Sequence, residues 1–491
     1  MNTVLPAIVL IFSLCHQAIS IENKFPDDFL FGVASSAYQI EGGHDKRGET
    51  VLDHYQRLDP SIISDSSDAK IACDSYHKYH EDINLLEYLG VDFYRFSISW
   101  PRILPTGYSN KINPDGIRYY NNLIDGLISK NITPMVTIFH YDLPKPLQDL
   151  GGWFNPTTAD LFEDYSKILF KNFGDRVKFW ITLNANTWGY ADPMFPPMLN
   201  LSGLGEYLCY KTILLAHAKA YHLYKKEFRD EQKGQVGLTI DGRWYHPATT
   251  STNDIEAAER VREFLIGTLA NPIFGEGDFP KVVKERVAEL SHKENFLKSR
   301  LPQLSPEEVD FIKGSYDFLG LNSYTTYLIK DDRSKDNWDS FSESKDLGAK
   351  LYQDPEWPGS LSDWLKVVPW GLRGVLKWVK DKYNNPPVFI TENGFSDSGE
   401  LEDEGRIQYY KLHLEALLEA IHEDGVNVKG YAAWSLLDNF EWMVGYSEKF
   451  GLFHVDFSDP ARPRTPKSSA RWYKSFLTRR HLAAAAAKTE L

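Results

Sequence analysis

The chain has 491 residues, of which 42% are hydrophobic and 14% aromatic, and this composition supports a sizeable buried core. Its formal net charge is -14 at pH 7 and no block of lysine and arginine stands out, which argues against nucleic acid or an anionic membrane surface as a partner. The length fits one large domain or several small ones.

Residues 1–20 are predicted to be a secretory signal peptide. The apolar run from Val4 to Cys15 precedes a site of small residues, Ala18-Ile19-Ser20, and we expect cleavage after Ser20. A membrane anchor is the alternative interpretation, but a run of about twelve apolar residues is too short to span a bilayer. No other segment is apolar enough, so no membrane span is predicted.

Eight apolar, β-rich runs follow between residues 21 and 480. They are residues 29–37, 91–99, 134–140, 178–184, 234–240, 316–322, 387–392 and 428–436. Several are continuously apolar, which is typical of strands that are buried on both faces of a parallel sheet. Helical patterns lie between them: residues 115–131 have apolar residues at helical spacing, and Ser305, Pro306 and Glu308 form a capping box with proline at the first helical position.

Strands that alternate with helices predict an α/β fold, here a single (β/α)8 TIM barrel over residues 21–480. The chain is long for such a barrel, so we expect long loop insertions, the clearest being the polar stretch 330–365. Two doubly wound α/β domains are the alternative. No linker supports them, and no glycine-rich phosphate loop follows a strand.

The C-terminal segment 481–491 is predicted to be a flexible tail. Its last four residues, KTEL, resemble a retrieval signal of the endoplasmic reticulum lumen. Glycosylation sequons at Asn131 and Asn200 fit the same secretory route. We therefore expect the protein in the lumen of the endoplasmic reticulum or outside the cell.

Three cysteines are present, and Cys15 belongs to the predicted signal peptide. Cys73 and Cys209 are either paired or buried and free, because their spacing decides neither. A chain of this size needs no disulfide framework to fold. The oligomeric state is equally open.

In a TIM barrel the functional residues lie at the C-terminal ends of the strands. The predicted strands deliver to that end polar groups that can hydrogen-bond hydroxyls, together with two indole rings: Gln39, His140, Asn184, Glu441, Trp434 and Trp442. This is the composition of a carbohydrate site, because the C–H faces of sugars stack on aromatic rings while their hydroxyls need hydrogen-bond partners. We expect a small-molecule glycoside as ligand, and no cofactor or metal.

Glu392 is the outstanding candidate nucleophile. It ends an apolar strand, where a carboxylate is costly unless cations and donors stabilise it, and Arg95 and Tyr324 are the candidates for that role. A lone glutamate at a strand end is more often a salt-bridge partner than a catalyst, and a lone His140 is equally well explained as a core histidine. The convergence of these residues, and no single one of them, supports the site.

Several segments, in order along the chain, resemble glycoside hydrolase family 1, the β-glucosidases. ITENG at 390–394 is similar to the nucleophile motif of that family, and the further matches are DFLFGVASSAYQIEG, FYRFSISWPRI, FHYDLP, NSYTT, AAWSLLDNFEW, FGLFHVDF and RTPKSSARWY. They run from about Phe25 to about Phe476. The resemblance implies a retaining glycosidase, in which one glutamate is the nucleophile and a second is the acid/base.

The resemblance also implies roles for the site residues. Glu392 attacks the anomeric carbon, and the sugar binds in the subsite before the scissile bond to Gln39, His140, Asn184, Trp434, Glu441 and Trp442. Members specific for 6-phosphosugars replace the glutamate of the Glu-Trp pair. Glu441 therefore favours a neutral hexose, because a carboxylate there would repel a phosphate.

The fourth strand departs from the family. Its family motif is Asn-Glu-Pro, whereas this chain has Asn184-Ala185-Asn186. Ala185 stands at the acid/base position and cannot transfer a proton. The following loop also looks shortened, because Gly189-Tyr190 comes sooner than usual. The resemblance thus implies an intact sugar-binding half and an altered proton-transfer half.

Three hypotheses follow from this departure. The first is an active β-glucosidase or thioglucosidase that acts best on activated leaving groups, as the plant myrosinases of the family carry glutamine at this position. The second is a carbohydrate-binding pseudoenzyme that acts as a receptor or interaction protein, as Klotho-type members do. The third is a β-glucosidase in which another carboxylate, such as Asp192, donates the proton. We favour the first because Glu392, Arg95 and Tyr324 are retained.

Overall fold

Eight parallel strands close into a barrel in the computed structural model, which describes residues 24–185, 195–333, 342–480 and 482. The strands of the described residues are β1 Leu30–Ala34, β2 Phe93–Ser97, β3 Thr133–Phe139, β4 Phe179–Ala185, β5 Gln235–Asp241, β6 Trp244–Pro247, β7 Phe318–Asn322, β8 Thr326–Asp331, β9 Ala349–Tyr352, β10 Val388–Asn393, β11 Val428–Trp434, β12 Phe453–Val455 and β13 Arg464–Pro466. The predicted signal peptide, Asp192 and the KTEL tail lie outside the described residues.

The order of strands around the barrel is β1-β11-β10-β7-β5-β4-β3-β2. Each of the eight predicted apolar runs overlaps one barrel strand, so the predicted (β/α)8 TIM barrel is confirmed and the alternative of two doubly wound domains is wrong. The runs are apolar because barrel strands have no solvent-facing side: every residue of β2, β7 and β10 is buried.

Helices separate the strands. They are Ala37–Ile40, Val51–Leu58, Ser75–Leu89, Trp100–Ile103, Pro114–Ser129, Lys145–Asp149, Thr157–Phe173, Gly205–Glu227, Arg229–Gln232, Thr252–Arg262, Thr268–Phe274, Lys281–Lys293, Pro306–Ile312, Glu343–Leu347, Trp370–Lys382, Glu404–His422 and Ser468–Arg479. The helix predicted over residues 115–131 is therefore present. The predicted capping box is confirmed as well, since Ser305 Oγ accepts from the Glu308 amide at 3.2 Å and Glu308 Oε2 accepts from the Ser305 amide at 2.7 Å.

The predicted insertion at 330–365 builds part of a small sheet outside the barrel, with strand order β6-β8-β9. Its described part is tied to the body of the protein by a buried ion pair, in which Arg300 donates to both carboxylate oxygens of Asp346 at 2.7 Å. Residues 334–341 of this stretch lie outside the described residues.

The structure resolves the state of two cysteines. Cys73 and Cys209 are both free and buried. The Cys73 thiol donates to the backbone oxygen of Asp438 at 3.1 Å, and burial raises the pKa of this thiol. Both cysteines therefore behave as small core residues.

The structure also bears on the predicted glycosylation sequons and on the predicted lack of a membrane span. The sequon residues Asn131 and Asn200 are both exposed. Among the residues that the structure describes, no helix has the length and apolar character needed to cross a bilayer.

Candidate active site

A pocket of about 430 Å³ opens at the C-terminal ends of the barrel strands. Most of its walls come from residues at or just after those ends: His140, Tyr141, Asn184, Asp241, Arg243, Asn322, Tyr324, Glu392, Trp434, Glu441 and Trp442. Aromatic side chains from loops, among them Phe195, Trp364 and Phe450, complete it. Among the predicted site residues that the structure describes, all except Gln39, Arg95 and Ala185 therefore line one cavity.

The carboxyl of Glu392 is held at the floor of this pocket. Arg95 Nη1 donates to Glu392 Oε1 at 2.6 Å, and the Tyr324 hydroxyl donates to Glu392 Oε2 at 2.8 Å. Arg95 is completely buried and Glu392 nearly so. Both partners that were predicted from the sequence thus bind the carboxylate, one on each oxygen.

A second layer of hydrogen bonds fixes Arg95. Its Nη2 donates to Asn184 Oδ1 at 2.8 Å, and its Nε donates to Thr137 Oγ1 at 3.1 Å. Asn184 Oδ1 also accepts from Asn322 Nδ2 at 2.9 Å. Residues of β2, β3, β4 and β7 thereby position the guanidinium of Arg95. The guanidinium in turn positions the carboxylate of Glu392.

Burial and hydrogen bonds act in opposite directions on Glu392. Burial raises the pKa of this carboxyl, and the charge of Arg95, with donors from Arg95, Tyr324 and Asn322, lowers it. The net shift is upward from 4.5. Tyr324 remains a neutral donor, because burial and the charge of Glu392 raise the pKa of its hydroxyl.

One wall of the pocket is aromatic. The His140 ring lies nearly parallel to the indoles of Trp434 and Trp442, with ring centroids 6.0 and 5.9 Å apart. Burial and Arg95 hold the pKa of His140 well below its ordinary value, so the imidazole is neutral. Its Nδ1 is buried and has no hydrogen-bond partner among the described residues. The flat faces of these rings suit the C–H face of a sugar.

Gln39 is placed differently from the other predicted sugar-binding residues. It is fully buried and does not line the empty pocket. Its amide nitrogen donates to Asn439 Oδ1 at 2.9 Å and to Glu441 Oε2 at 3.3 Å, and its oxygen accepts from Ser36 at 2.6 Å. Gln39 therefore hydrogen-bonds to the carboxyl of Glu441 and helps to fix its position.

The carboxyl of Glu441 is poorly stabilised. Burial, followed by the charges of Glu448 and Glu392, raises its pKa to about 8, and hydrogen bonds from Trp434 and Gln39 lower it only in part. With this pKa the group is largely protonated at neutral pH.

We expect Glu441→Gln to be more stable than wild type at alkaline pH. A carboxyl whose pKa is about 8 when folded and 4.5 when unfolded contributes its full stability below pH 4.5, and that stability is lost progressively as the pH rises from 4.5 through 8. The wild type should lose about 3 to 4 kcal/mol between pH 5 and pH 8 relative to Glu441→Gln. Urea unfolding at both pH values measures this, with the exposed Glu356→Gln as control. Parallel pH profiles of wild type and Glu441→Gln would contradict it.

Ala185 ends β4 and is 2% exposed. It is in register with Ile240 of β5. Its strand, β4, is separated from β10, the strand of Glu392, by β5 and β7. A methyl group therefore stands at the position that the resemblance assigns to the acid/base. The loop that follows, residues 186–194, lies outside the described residues.

Three charged residues that line the pocket, Asp241, Arg243 and Glu448, were not predicted from the sequence. Asp241 ends β5, and Arg243 follows it; Arg243 Nε lies 3.2 Å from Asp241 Oδ2. The guanidinium also lies over the ring of Trp364, 5.2 Å from its centroid. The sequence contains a pattern that could have identified Asp241: it directly follows the apolar run 234–240, just as Glu392 ends the apolar run 387–392.

No group of three or more histidine, cysteine, aspartate or glutamate side chains able to hold a metal ion occurs within the described ranges.

The chain matches the profile of glycosyl hydrolase family 1 over residues 21–482. It is 43% identical over 464 residues to the lactase/phlorizin hydrolase of Homo sapiens, a match that covers 93% of this chain but 24% of that protein, so the chain spans about a quarter of that relative. It is also 43% identical over 473 residues to myrosinase 1 of Brevicoryne brassicae, covering 93% of this chain and 99% of the relative.

Solved structures agree with the sequence relatives. A structure of an aphid myrosinase superposes with a TM-score of 0.89 at 44% sequence identity, covering 93% of this chain and 99% of that one. Fold, family profile and relatives therefore give one answer. The chain belongs to glycosyl hydrolase family 1.

Proposed function

We propose that this protein is a retaining β-glycosidase that hydrolyses β-glucosides, with Glu392 as its nucleophile. The observation that carries the proposal is the clamp on Glu392, whose two oxygens are bound by Arg95 and Tyr324 at the floor of an aromatic pocket. A purely sugar-binding protein has no need of a buried carboxylate with two dedicated partners, because burying such a charge is costly.

In the proposed reaction Glu392 attacks the anomeric carbon. A bond forms between its oxygen and that carbon as the bond to the aglycone breaks, and water later displaces Glu392 with a second inversion. Trp434 and Trp442 stack on the sugar ring. Hydrogen bonds to the sugar hydroxyls come from Gln39, His140, Asn184 and Glu441. Arg95 and Tyr324 keep the carboxylate aimed at the anomeric carbon.

The substrate preference follows from Ala185. Retaining glycosidases use two carboxyl groups about 5 Å apart, and the second one protonates the departing oxygen. Loss of general acid–base help typically costs a factor of about 10² to 10⁴. An alkoxide leaves poorly without a proton, whereas an acidic aglycone leaves almost unaided. We therefore propose O- or S-glucosides with activated leaving groups as the preferred substrates, and the names of two relatives, both myrosinases, agree with the S-glycoside option.

We expect a steep dependence of the rate on the leaving group. A series of aryl β-glucosides should show kcat/KM falling as the pKa of the phenol rises, and alkyl β-glucosides should react about 10² to 10⁴ times more slowly than in a family member with the acid/base glutamate. Initial rates across the series measure this. A flat series with fast alkyl turnover would show that a complete acid/base pair operates.

The predicted route of the protein through the cell is part of the proposal. A cleaved signal peptide at residues 1–20 and glycans at the exposed Asn131 and Asn200 would direct it to the secretory pathway, and KTEL would retain it there. Expression in a secretory host, with and without the last four residues, measures this. Equal amounts in the medium would argue against retention by KTEL.

A further inference from the structure

Asp241 lines the pocket with a carboxyl group that has no role in binding the nucleophile or in the proposed sugar contacts. It ends β5, and its side chain is 21% exposed, toward the pocket that it lines. Thr239, two residues earlier, donates to Thr391 Oγ1 at 3.2 Å across the barrel, so that side chain points inward. Because side chains alternate along a strand, Asp241 points inward one layer nearer the mouth.

Its strand is the neighbour of the strand that ends in alanine. β5 pairs with β4, with Ala185 in register with Ile240, so Asp241 lies one residue beyond that level. A carboxyl is thus present on the same side of the pocket as the missing one, displaced by one strand. The proton that the leaving group needs must arrive from this side, opposite the nucleophile.

Glu392 and Asp241 flank a common residue. Asn322 of β7 is in register with Glu392 on one side and with Asp241 on the other. Two strand spacings separate their α-carbons by about 10 Å, and inward-pointing side chains in a closed barrel bring the carboxyls closer than that. This is compatible with the separation of roughly 5 Å that double displacement requires.

The other carboxyls of the pocket lie on the wrong side. Glu441 follows β11, which is on the far side of β10 from β7 and β5, and it accepts from Gln39. Glu448 accepts from the Ser362 hydroxyl. Among the described pocket residues, Asp241 is the carboxyl between the nucleophile and Ala185.

We propose that Asp241 serves in part as the general acid and base of the reaction, in place of the glutamate that Ala185 lacks. This rests on the proposed glycosidase function. In the first step the Asp241 carboxyl gives its proton to the aglycone oxygen as the bond from that oxygen to the anomeric carbon breaks and Glu392 forms its ester. In the second, the Asp241 carboxylate takes a proton from water, the water oxygen bonds to the anomeric carbon, and Glu392 leaves as carboxylate.

Arg243 makes both states of Asp241 accessible. Burial raises the pKa of the Asp241 carboxyl, and the charge of Arg243 together with the Arg243 backbone amide lowers it. The ion pair stabilises the carboxylate after proton delivery, and burial favours proton uptake for the next cycle. The shorter aspartate, displaced by a strand and tied to Arg243, makes this a partial replacement, so acidic leaving groups remain preferred.

The experiment compares Asp241→Asn with wild type on an alkyl and a 2,4-dinitrophenyl β-glucoside. We expect kcat/KM for the alkyl glucoside to fall at least about 10-fold, toward the lower limit for loss of an acid catalyst, with the glucosylation rate of the dinitrophenyl glucoside nearly unchanged. Asp241→Glu keeps the carboxyl and should retain alkyl hydrolysis. In an Ala185→Glu background, Asp241→Asn should have little effect on either substrate.

Equal loss on both substrates, no loss on either, the same loss in the Ala185→Glu background, or a wild type that does not turn over the alkyl glucoside would each overturn the assignment. Covalent labelling of wild type and Asp241→Asn by a 2-deoxy-2-fluoro-glucoside with a dinitrophenyl leaving group separates the two proposals. If neither protein is labelled, the glycosidase function itself fails. If both are labelled and alkyl hydrolysis does not depend on Asp241, only the role of Asp241 fails.

Discussion

Glu392→Gln is expected to abolish covalent labelling of the protein by 2,4-dinitrophenyl 2-deoxy-2-fluoro-β-glucoside. This reagent needs no acid to react, because its leaving group departs unprotonated, and the fluorine slows hydrolysis of the glycosyl-enzyme. Wild type should gain the mass of one fluoroglucosyl unit in intact-protein mass spectrometry. With dinitrophenyl β-glucoside, Glu392→Gln should lower kcat/KM by on the order of 10⁴- to 10⁶-fold, the range found when a central catalytic residue is removed.

The amide oxygen of glutamine can still accept from Arg95, and its NH2 group can donate to the Tyr324 hydroxyl, which also has acceptor capacity, so the fold should survive. Glu356→Gln, at an exposed glutamate, is the matched control and should be labelled like wild type. Wild type that binds glucose but gains no mass would contradict the proposed nucleophile. It would favour the carbohydrate-binding pseudoenzyme and direct attention to protein partners.

Ala185→Glu is expected to increase hydrolysis of alkyl β-glucosides. The family resemblance assigns the acid/base carboxyl to the end of β4, so a glutamate at 185 should restore a proton donor on the strand next to that of Asp241. Since general acid–base catalysis contributes about 10² to 10⁴ in rate, kcat/KM for an alkyl glucoside should rise by up to that factor. The glucosylation rate with a dinitrophenyl glucoside should change little, because that leaving group needs no proton.

Ala185→Gln is the matched control, since glutamine has the shape of glutamate but no transferable proton. It should leave alkyl hydrolysis near the wild-type rate. Equal effects of glutamate and glutamine would show that packing at the end of β4, and not proton transfer, limits the reaction. No gain from glutamate would contradict the prediction that a missing proton donor at position 185 limits alkyl hydrolysis.

The barrel was predictable because its strands are buried on both faces. Burial on both faces forces continuous apolar runs, such as residues 387–392, and these can be recognised without any partner strand. The helix that begins at Pro306 was equally local, because its capping box closes within four residues. The clamp on Glu392 was predicted from cost alone: a carboxylate in an apolar strand needs a cation and a donor.

The contacts of Gln39, the pKa of Glu441 and the state of the cysteines depend on which segments become neighbours in the fold. Local sequence does not contain this information. The amide of Gln39 donates to Asn439 and Glu441, which lie 400 and 402 residues further along the chain, so its position depends on contacts that no local pattern contains. The raised pKa of Glu441 arises first from burial and then from the charges of Glu448 and Glu392, and only the closed barrel buries Glu441 and brings Glu392 near it. The choice between paired and free cysteines was likewise decided by where Cys73 and Cys209 are buried.

By itself, the sequence indicated the closed barrel, a carboxyl at Glu392 that ends an apolar strand, and the alanine at the end of the fourth strand. All of these follow from residue type and from periodicity within one strand or one helix turn. The tertiary structure alone decided that Asp241 shares a pocket with Glu392 and lies beside Ala185. That arrangement depends on the register between β4, β5, β7 and β10, which is set by the closure of the barrel and by no single segment.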